Sequence, residues 1–574
     1  MRITQSTKIY ATCDSLYAAK EMSVFLGKVF SSDPLLITDN KEDACIILGE
    51  ADENFLLPKN DGFCILCDGR RLQIYGSCVR GTLYGVYDFL ERFAGIRWFT
   101  PDVTKIFHMD SIYIGELRKI DEPAFLYREP DFLDAARDPD FAARLRVISR
   151  RQTEKHGGFL RYANPHVHTM NYYCPPKKYY DEHPEYFALV NGERLKEGGQ
   201  PCLTNPEVLK IVTEAVRENL RNDPTANILS ISQNDCDGWC ECENCKAIDE
   251  EEGSHAGTLI RFVNSVAEAL EGEFPNVLFS TLAYRYSRTP TLKTKPRDNV
   301  TVRLCTIEEC FMHALDECEV LAWPFCNMHN SEHTMYEEIE SWGKISKNVF
   351  MWDYVVNFAN YIMPYPNYKA IVNNMKIFAA NGVKGMFSQG NRQSLGGDFA
   401  PLKVYMLSKL MWDPNCDIIT IANEFIEYVY GKASKYISEY LQMIYDHVQD
   451  NDIHIGIYEM PSKLRLTDEL ILKADNLFDE AEKAADSEHS KKYVRLARLS
   501  VKYLHLWNAD NGEEIKEQCS EFLKEIDELG VTHISQFPTL DISRGNLENG
   551  FGPFKSQKDY WARIGGIVTK DGCK

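Results

Sequence analysis

The stretch "NILSISQNDCDGWCECENC", residues 227–245, joins two different kinds of pattern. Apolar and hydroxyl residues from Ile228 to Ser232 make a short run suited to a buried strand, and they lead directly into Gln233, Asn234 and Asp235. A strand that ends in amides and a carboxylate is how a barrel enzyme presents its chemistry, because active sites in that fold gather at the C-terminal ends of the strands. Three cysteines follow within six positions, Cys240, Cys242 and Cys245, at a spacing that suits metal ligands.

Working outward from this stretch, strand-like runs alternate with amphipathic helices from about residue 124. The strand candidates are "AFLYRE" (124–129), "PHVHTM" (165–170), "GQPCLTN" (199–205), "NILSISQND" (227–235), "VLFSTLAY" (277–284), "VTVRLCTIEE" (300–309), "NVFMWDY" (348–354) and "VKGMFSQG" (383–390). Between them, Val208, Ile211, Val212 and Ala215 repeat with helical period, as do Leu259, Phe262, Val263, Val266 and Leu270. Asn205 before Pro206 is a helix start, an N-cap followed by proline at the first helical position. Strict alternation over so many strands predicts an α/β fold with a (β/α)8 TIM barrel over 119–414; a doubly wound open sheet gives the same local signs.

Upstream, residues 1–118 read as a small α/β domain. Strands are expected at "KIYATCD", "DACIILG" and "RRLQIYG", and helices at "SLYAAKEMSVFLGKVF" and "VRGTLYGVYDFLERFAG". From 415 to 574 strand signals fade and helices such as the one carrying Leu441, Ile444, Tyr445 and Val448 predict a C-terminal helical domain.

With 574 residues, 44% of them hydrophobic and 12% aromatic, the chain is long and apolar enough to bury large cores. A formal net charge of −21 argues against nucleic acid or an anionic membrane as partner, since either requires a basic face. The N-terminus has no apolar run of signal-peptide kind and no segment approaches membrane-spanning length, so a cytoplasmic protein is expected. Most of the 18 cysteines are then expected as reduced thiols.

The strand ends are rich in carboxylates, amides and aromatic rings: His168, Thr204, Asn205, Gln233, Asn234, Asp235, Tyr284, Glu308, Glu309, Trp352, Asp353, Tyr354, Asn357, Gln389 and Asn391. Such a ring suits an oligosaccharide, with aromatic faces against the apolar side of a pyranose and amides and acids on its hydroxyls. Glycosidic cleavage needs a carboxylic acid at the leaving oxygen and a second group to meet the positive charge that develops on the ring. Asp235, Glu308 and Asp353 are the candidates for this work. Each is equally able to serve as a helix cap or loop acceptor, but three on neighbouring strands favour chemistry. Glu308 and Glu309 are adjacent, so an extended strand sends them to opposite faces. His166 and His168 share a face without a third ligand, which favours hydroxyl binding or packing over metal. Cys240, Cys242 and Cys245, with Cys202 from the preceding strand candidate, make a possible structural zinc site; no cofactor is expected for catalysis itself.

"RGTLYGVYDFLERFAGIRWFTPD" (80–102) resembles the end of the small domain that precedes the barrel in α-glucuronidases and β-hexosaminidases. "DEHPEYFALVNGER", "QPCLTNPEV", "SISQNDCDGWCECENC", "RLCTIEECF" and "MWDYVVNFANYIMPYPN" resemble a bacterial family of barrel proteins long described as a domain of unknown function, a group that includes endo-β-N-acetylglucosaminidases acting on complex N-glycans. The resemblance covers about residues 60–430. It implies retaining cleavage at N-acetylglucosamine with the substrate's 2-acetamido oxygen as nucleophile, and it carries over to Asn234, Asp235, Glu308, Asp353, Tyr354 and Asn357. Ser388 departs from the glutamate many members place before "QG", and Glu309 from a frequent cysteine. Two other readings stay open: an α-glucuronidase-like exo-enzyme using Arg128 or Arg303 for the uronate, and a non-catalytic glycan-binding barrel.

Overall fold

The structure is a computed structural model that describes residues 1–51, 57–322, 333–508 and 513–536. Six strands form one parallel sheet: β1 (Tyr127–Asp131), β2 (Ile228–Ser230), β3 (Leu278–Ala283), β4 (Val300–Cys305), β5 (Val349–Tyr354) and β6 (Gly385–Gln389). Their order is β1-β6-β5-β4-β3-β2, every pairing parallel. Beyond β2, Tyr162 adds a parallel bridge to Ile228, and its ring stands 5.8 Å from that of Tyr127 on β1. The sheet therefore curls until its two margins face one another across those rings.

Two of the eight strand candidates do not form strands. At 165–170 the chain turns through His168 (φ 52°) into a short helix, Met170–Tyr173. The local hydrogen bonds explain this, because the backbone N–H groups of Thr169 and Met170 both donate to Ser232 O, so the segment caps the end of β2 instead of pairing beside it. At 199–205, Pro201 lacks a donor and only isolated bridges form, Phe187 with Pro201 and Gly199 with Gly238. Among the described residues the result is a curled parallel half-barrel of six strands, not the eight-stranded barrel expected.

Side-chain alternation makes the inner surface legible as rows. Across the sheet, Tyr127 pairs with Gly385 and Gly385 with Phe350; the next inward row is Glu129, Phe387, Trp352 and Cys305, and the last is Asp131, Gln389 and Tyr354. A Cβ on Gly385 would come 2.7 Å from the Phe350 ring, so glycine makes room for that ring. The interior runs from aromatic at its base to polar at the C-terminal ends of the strands. Met351, Met386, Val302 and Leu304 point the other way, into the core shared with the outer helices.

The N-terminal strands Ile9–Ala11, Ile46–Leu48, Leu72–Gly76, Phe63–Cys67 and Leu117–Asp121 form a second, mixed sheet in that order, packed against helices Leu16–Val29 and Val79–Phe93. Arg128 of β1 ties it to the curled sheet. Fully buried, it donates to Asp61 Oδ2 at 2.7 Å, to Phe125 O at 2.7 Å and to Arg146 O at 2.9 Å, while Arg80 reaches Asp61 Oδ1 at 2.6 Å. Burial works to raise the Asp61 carboxyl, and the two guanidinium groups hold it below its ordinary value. Arg128 is thus committed inside the fold and does not offer a cation to a uronate.

Toward the C-terminus, helices Ile418–Tyr430, Ser434–Asp450, Asp468–Ala484, Glu488–Asn508 and Glu513–Leu529 follow one another. Backbone bonds from Phe358 N to Ile457 O (2.6 Å) and from Tyr361 N to Ile534 O (2.8 Å) fasten the loop after β5 to this part of the chain. The expected helical region runs on to 574, of which 537–574 lie outside the described residues.

Candidate functional site

Asp235 ends the run that follows β2, with its side chain 54% exposed. The Tyr284 hydroxyl donates to its Oδ1 at 3.1 Å and Arg285 Nη1 lies 3.4 Å from the same oxygen. Arg285 also holds Asp237, so one guanidinium spans both carboxylates of the "DCD" turn. Tyr284 is buried, and burial together with the charges of Asp235 and Glu308 pushes its phenol well above the ordinary range. Asp235, Tyr284 and Glu308 therefore share one electrostatic neighbourhood.

Glu308 and Glu309 follow β4 and are both buried. Arg288 Nη1 lies 2.9 Å from Glu309 Oε1 and 3.4 Å from Glu308 Oε2, and its Nε pairs with Glu338 on the helix Met335–Ile345. One cation thus faces three carboxyl groups. The excess negative charge adds to burial: desolvation raises the Glu308 carboxyl against Arg288, and it raises Glu309 to about 8. A carboxyl group that keeps its proton toward neutral pH is what a general acid requires.

Asp353 is placed differently. It continues the outward row, Met351 with Met386 and then Asp353 with Ser388, and accepts from Thr306 Oγ1 at 2.8 Å. Burial pushes it to about 6 against that hydrogen bond. Ser388, fully buried on the same side, has no hydrogen-bond partner among the described residues for its hydroxyl. The structure does not bring Asp353 together with Asp235 and Glu308 on the inner surface.

The inward rings do converge. Trp352 stacks at 6.4 Å on Tyr354 and donates from Nε1 to Gln389 Oε1 at 2.8 Å. Other candidates are occupied by the fold. Asn234 Nδ2 donates to Asn171 Oδ1 and Gly199 O, both 3.0 Å, and its Oδ1 accepts from Asn171 N. Asn357 donates to Glu459 O and accepts from Asn360 N, each at 2.9 Å; Asn391 donates to Ser394 O at 2.6 Å. His168 Nδ1 lies 2.9 Å from Gln233 O, with its ring 6.0 Å from that of Tyr284.

The four cysteines expected to share a metal do come together. Cys202, Cys240, Cys242 and Cys245 present sulfur atoms all within 4.8 Å of one another, with Cys202 Sγ 3.7 Å from Cys242 Sγ and 3.9 Å from Cys245 Sγ. Tetrahedral zinc with Zn–S of about 2.3 Å sets sulfur atoms roughly 3.8 Å apart, so the donor set fits that ion. The Leu189 N–H and Arg194 Nη1 point at Cys240 Sγ at 3.4 and 3.8 Å, the outer-shell donors a metal-bound thiolate takes.

A model of the family described as "Domain of unknown function (DUF4838)" matches residues 98–442, more than half of the chain. The chain belongs to that family. No match to it was found among curated proteins. Among solved structures it is similar to BtGH115A, described as a family GH115 4-O-methyl-α-glucuronidase with specificity for decorated arabinogalactans: 13% identity, 98% of this chain and 78% of the other, TM-score 0.55. It is also similar to CpGH89 of Clostridium perfringens, solved with GlcNAc-α-1,4-galactose, at 12% identity and TM-score 0.50, covering 90% of this chain and 65% of the other. The chain thus spans just under two thirds of the length of that second protein. At such identities these likenesses show a shared fold.

The DUF4838 region also holds two acids that sequence reasoning passed over, Glu129 and Asp131. Glu129 of β1, buried, accepts from Tyr127 and from Arg150 Nε at 2.8 Å; burial raises its carboxyl but Arg150 holds it below the ordinary value. Asp131, on the topmost inward row, pairs with Arg392 at 3.1 Å and is pushed to about 7 by burial and then by Glu129. Above the base of the sheet, Arg303 lies 4.6 Å from the Tyr162 ring, 5.0 Å from Trp352 and 5.4 Å from Phe387. Its Nε and Nη2 have no hydrogen-bond partner among the described residues. The first strand's candidate run stops at Glu129, whereas the strand itself reaches Asp131, which is why that carboxyl escaped notice.

Proposed function

We propose that this DUF4838 protein is a glycoside hydrolase that cleaves β-linked N-acetylglucosamine in a glycan, with retention and with the 2-acetamido oxygen as nucleophile. The observation that carries the reading is that two unlike carboxyl groups both act on the Tyr284 phenol: a buried one raised by desolvation, Glu308, and an exposed one held by that phenol and a guanidinium, Asp235. Glu308 serves as the acid that protonates the leaving oxygen and, in the second half-reaction, as the base that takes a proton from water. Asp235, kept in place by Tyr284 and Arg285, orients the acetamide N–H so that its carbonyl oxygen attacks the anomeric carbon. Trp352 and Tyr354 give the sugar ring a stacking face. The fold likeness to BtGH115A and CpGH89, both named as carbohydrate-active, supports the class of reaction and leaves the sugar to the site.

In this reading Cys202, Cys240, Cys242 and Cys245 hold a structural zinc ion that stiffens the loop following Asp235 and takes no part in bond breaking. A second reading, cleavage at a uronic acid, is favoured by one observation: Nε and Nη2 of Arg303, whose guanidinium lies 5.0 Å from the Trp352 ring, have no hydrogen-bond partner among the described residues. Incubation with aryl β-N-acetylglucosaminide, aryl α-glucuronide and a complex N-glycan decides between them. Release from the first or the third, and none from the second, is the expected result; turnover of the glucuronide alone sinks the proposal, and binding without turnover of any of them points to a lectin-like role.

A further inference from the structure

Four side chains that the proposed chemistry leaves unused converge on one point. Cys310, His313 and Cys318 come from the chain that follows Glu309, and His454 from the turn after the helix Ser434–Asp450. One ligand atom from each lies within 4.8 Å of all the others. Cys310 Sγ is 3.4 Å from His313 Nδ1, and Cys318 Sγ is 3.5 Å from His454 Nδ1. Sulfur at about 2.3 Å and nitrogen at about 2.05 Å from a tetrahedral zinc ion stand roughly 3.6 Å apart, so the spacing is that of ligands around one ion.

The far sides of the imidazoles carry a second observation. Each ring turns Nδ1 toward a sulfur and Nε2 toward the same carboxylate: Asp452 Oδ1 is 3.2 Å from His454 Nε2 and 3.8 Å from His313 Nε2. A carboxylate behind a ligating histidine fixes its tautomer and makes the metal-facing nitrogen the better donor. The ring centroids are 4.7 Å apart at 48°, an arrangement that aims two nitrogens at a common centre and does not stack the faces. Two thiolates and two imidazoles prefer zinc to hard cations such as calcium or magnesium.

We propose that Cys310, His313, Cys318 and His454 bind a structural zinc ion that clamps the loop beginning at Glu308 and Glu309 to the helical C-terminal part of the chain. Four protein ligands complete the tetrahedral shell, so the ion has no open position for a substrate or water. The clamp acts where backbone and side-chain bonds already cross, Phe311 N to Ile455 O at 3.0 Å and Gln449 Nε2 to Met312 O at 3.2 Å. His454 lies beyond residue 442, where the family match ends, so the site joins the DUF4838 region to sequence outside it.

The test uses the full chain, purified without chelator, and compares its zinc content with that of a His313→Ala/His454→Ala double variant. A loss of about one zinc equivalent per chain relative to the parent is expected, whatever the occupancy of the four-cysteine site. Unchanged zinc content overturns the proposal, as does a Cys310–Cys318 disulfide found by peptide mapping of freshly purified parent. Should the double variant not fold, zinc X-ray absorption of the parent decides: scattering from imidazole supports the site, and a shell of sulfur alone rejects it.

Discussion

The Tyr284 hydroxyl stands 3.1 Å from Asp235 Oδ1, a link from the end of β3 to the loop beyond β2. Arg285 contacts the same oxygen at 3.4 Å, so the Tyr284 hydroxyl is the nearer of the carboxylate's two donors. Tyr284→Phe removes the donor and keeps the ring, so kcat is expected to fall by about tenfold to a hundredfold, within what a positioned hydrogen bond contributes. The thermal midpoint should stay within a few degrees. A loss of stability without a selective loss of kcat assigns Tyr284 to packing.

The Arg128–Asp61 pair is a stability contact. Asp61→Ala leaves Arg128 and Arg80 buried beside no anion, and removal of one partner from a buried ion pair costs about 3–5 kcal/mol. A correspondingly lower urea midpoint is expected; an unchanged midpoint means the guanidinium groups find compensation elsewhere.

Glu309 makes stability depend on pH with a definite sign. Its carboxyl is raised to about 8, while the unfolded chain ionises near the ordinary glutamate value. Its contribution is complete below that ordinary value, shrinks as pH rises through the interval, and is lost as pH passes the folded value. Glu309→Gln should therefore flatten the decline of the thermal midpoint between about pH 5 and 8. An identical decline in parent and variant places the titration on another group.

The four-cysteine cluster predicts zinc in protein purified without added metal. Cys240→Ser should release that ion and lower the thermal midpoint by several degrees, since binding energy at a structural zinc site is folding energy. Zinc analysis beside differential scanning calorimetry checks both, and a metal-free parent of full stability removes the idea.

How much of this was legible beforehand depends on how far apart the interacting residues lie in the chain. The helix start at Asn205–Pro206 is a local signal, and the structure has Asn205 capping Glu207 N at 2.9 Å. The spacing of Cys240, Cys242 and Cys245 is local too, and only Cys202 had to be supplied by reasoning about neighbouring strands. By contrast, His454 meets Cys318 across 136 positions, and Glu338 reaches Arg288 from a helix on the far side of β4, so no local spacing announces either. The strand expected at 165–170 failed because its alternation of histidine, valine and threonine resembles an extended run, while the backbone donors of Thr169 and Met170 are taken by Ser232. Asp353 looked equivalent to Asp235 as a strand-end acid. Strand parity, set by the register with Met351 and Ser388, turns it outward.

The last prediction separates the two carboxyl groups proposed to break the bond. Glu308→Gln abolishes a proton donor, so turnover of a natural glycan, whose leaving alkoxide needs protonation, should drop by several orders of magnitude. An aryl N-acetylglucosaminide with an acidic phenol leaves without help, and its loss should be far smaller. The pH profile adds an independent check. The acid works only while protonated, so activity of the parent falls as pH rises through the raised value of Glu308, and that basic limb should vanish from the residual aryl-glycoside activity of the variant. Asp235→Asn should behave otherwise, because its proposed task is to hold the acetamide: both substrates should suffer alike, and a thiazoline that mimics the bicyclic intermediate should lose affinity for the variant. If Glu308→Gln and Asp235→Asn respond to leaving group and pH in the same way, the division of labour proposed for them is wrong. In that event Asp131, with its carboxyl raised to about 7 on the inward row beside Gln389 and Tyr354, is the next acid to replace.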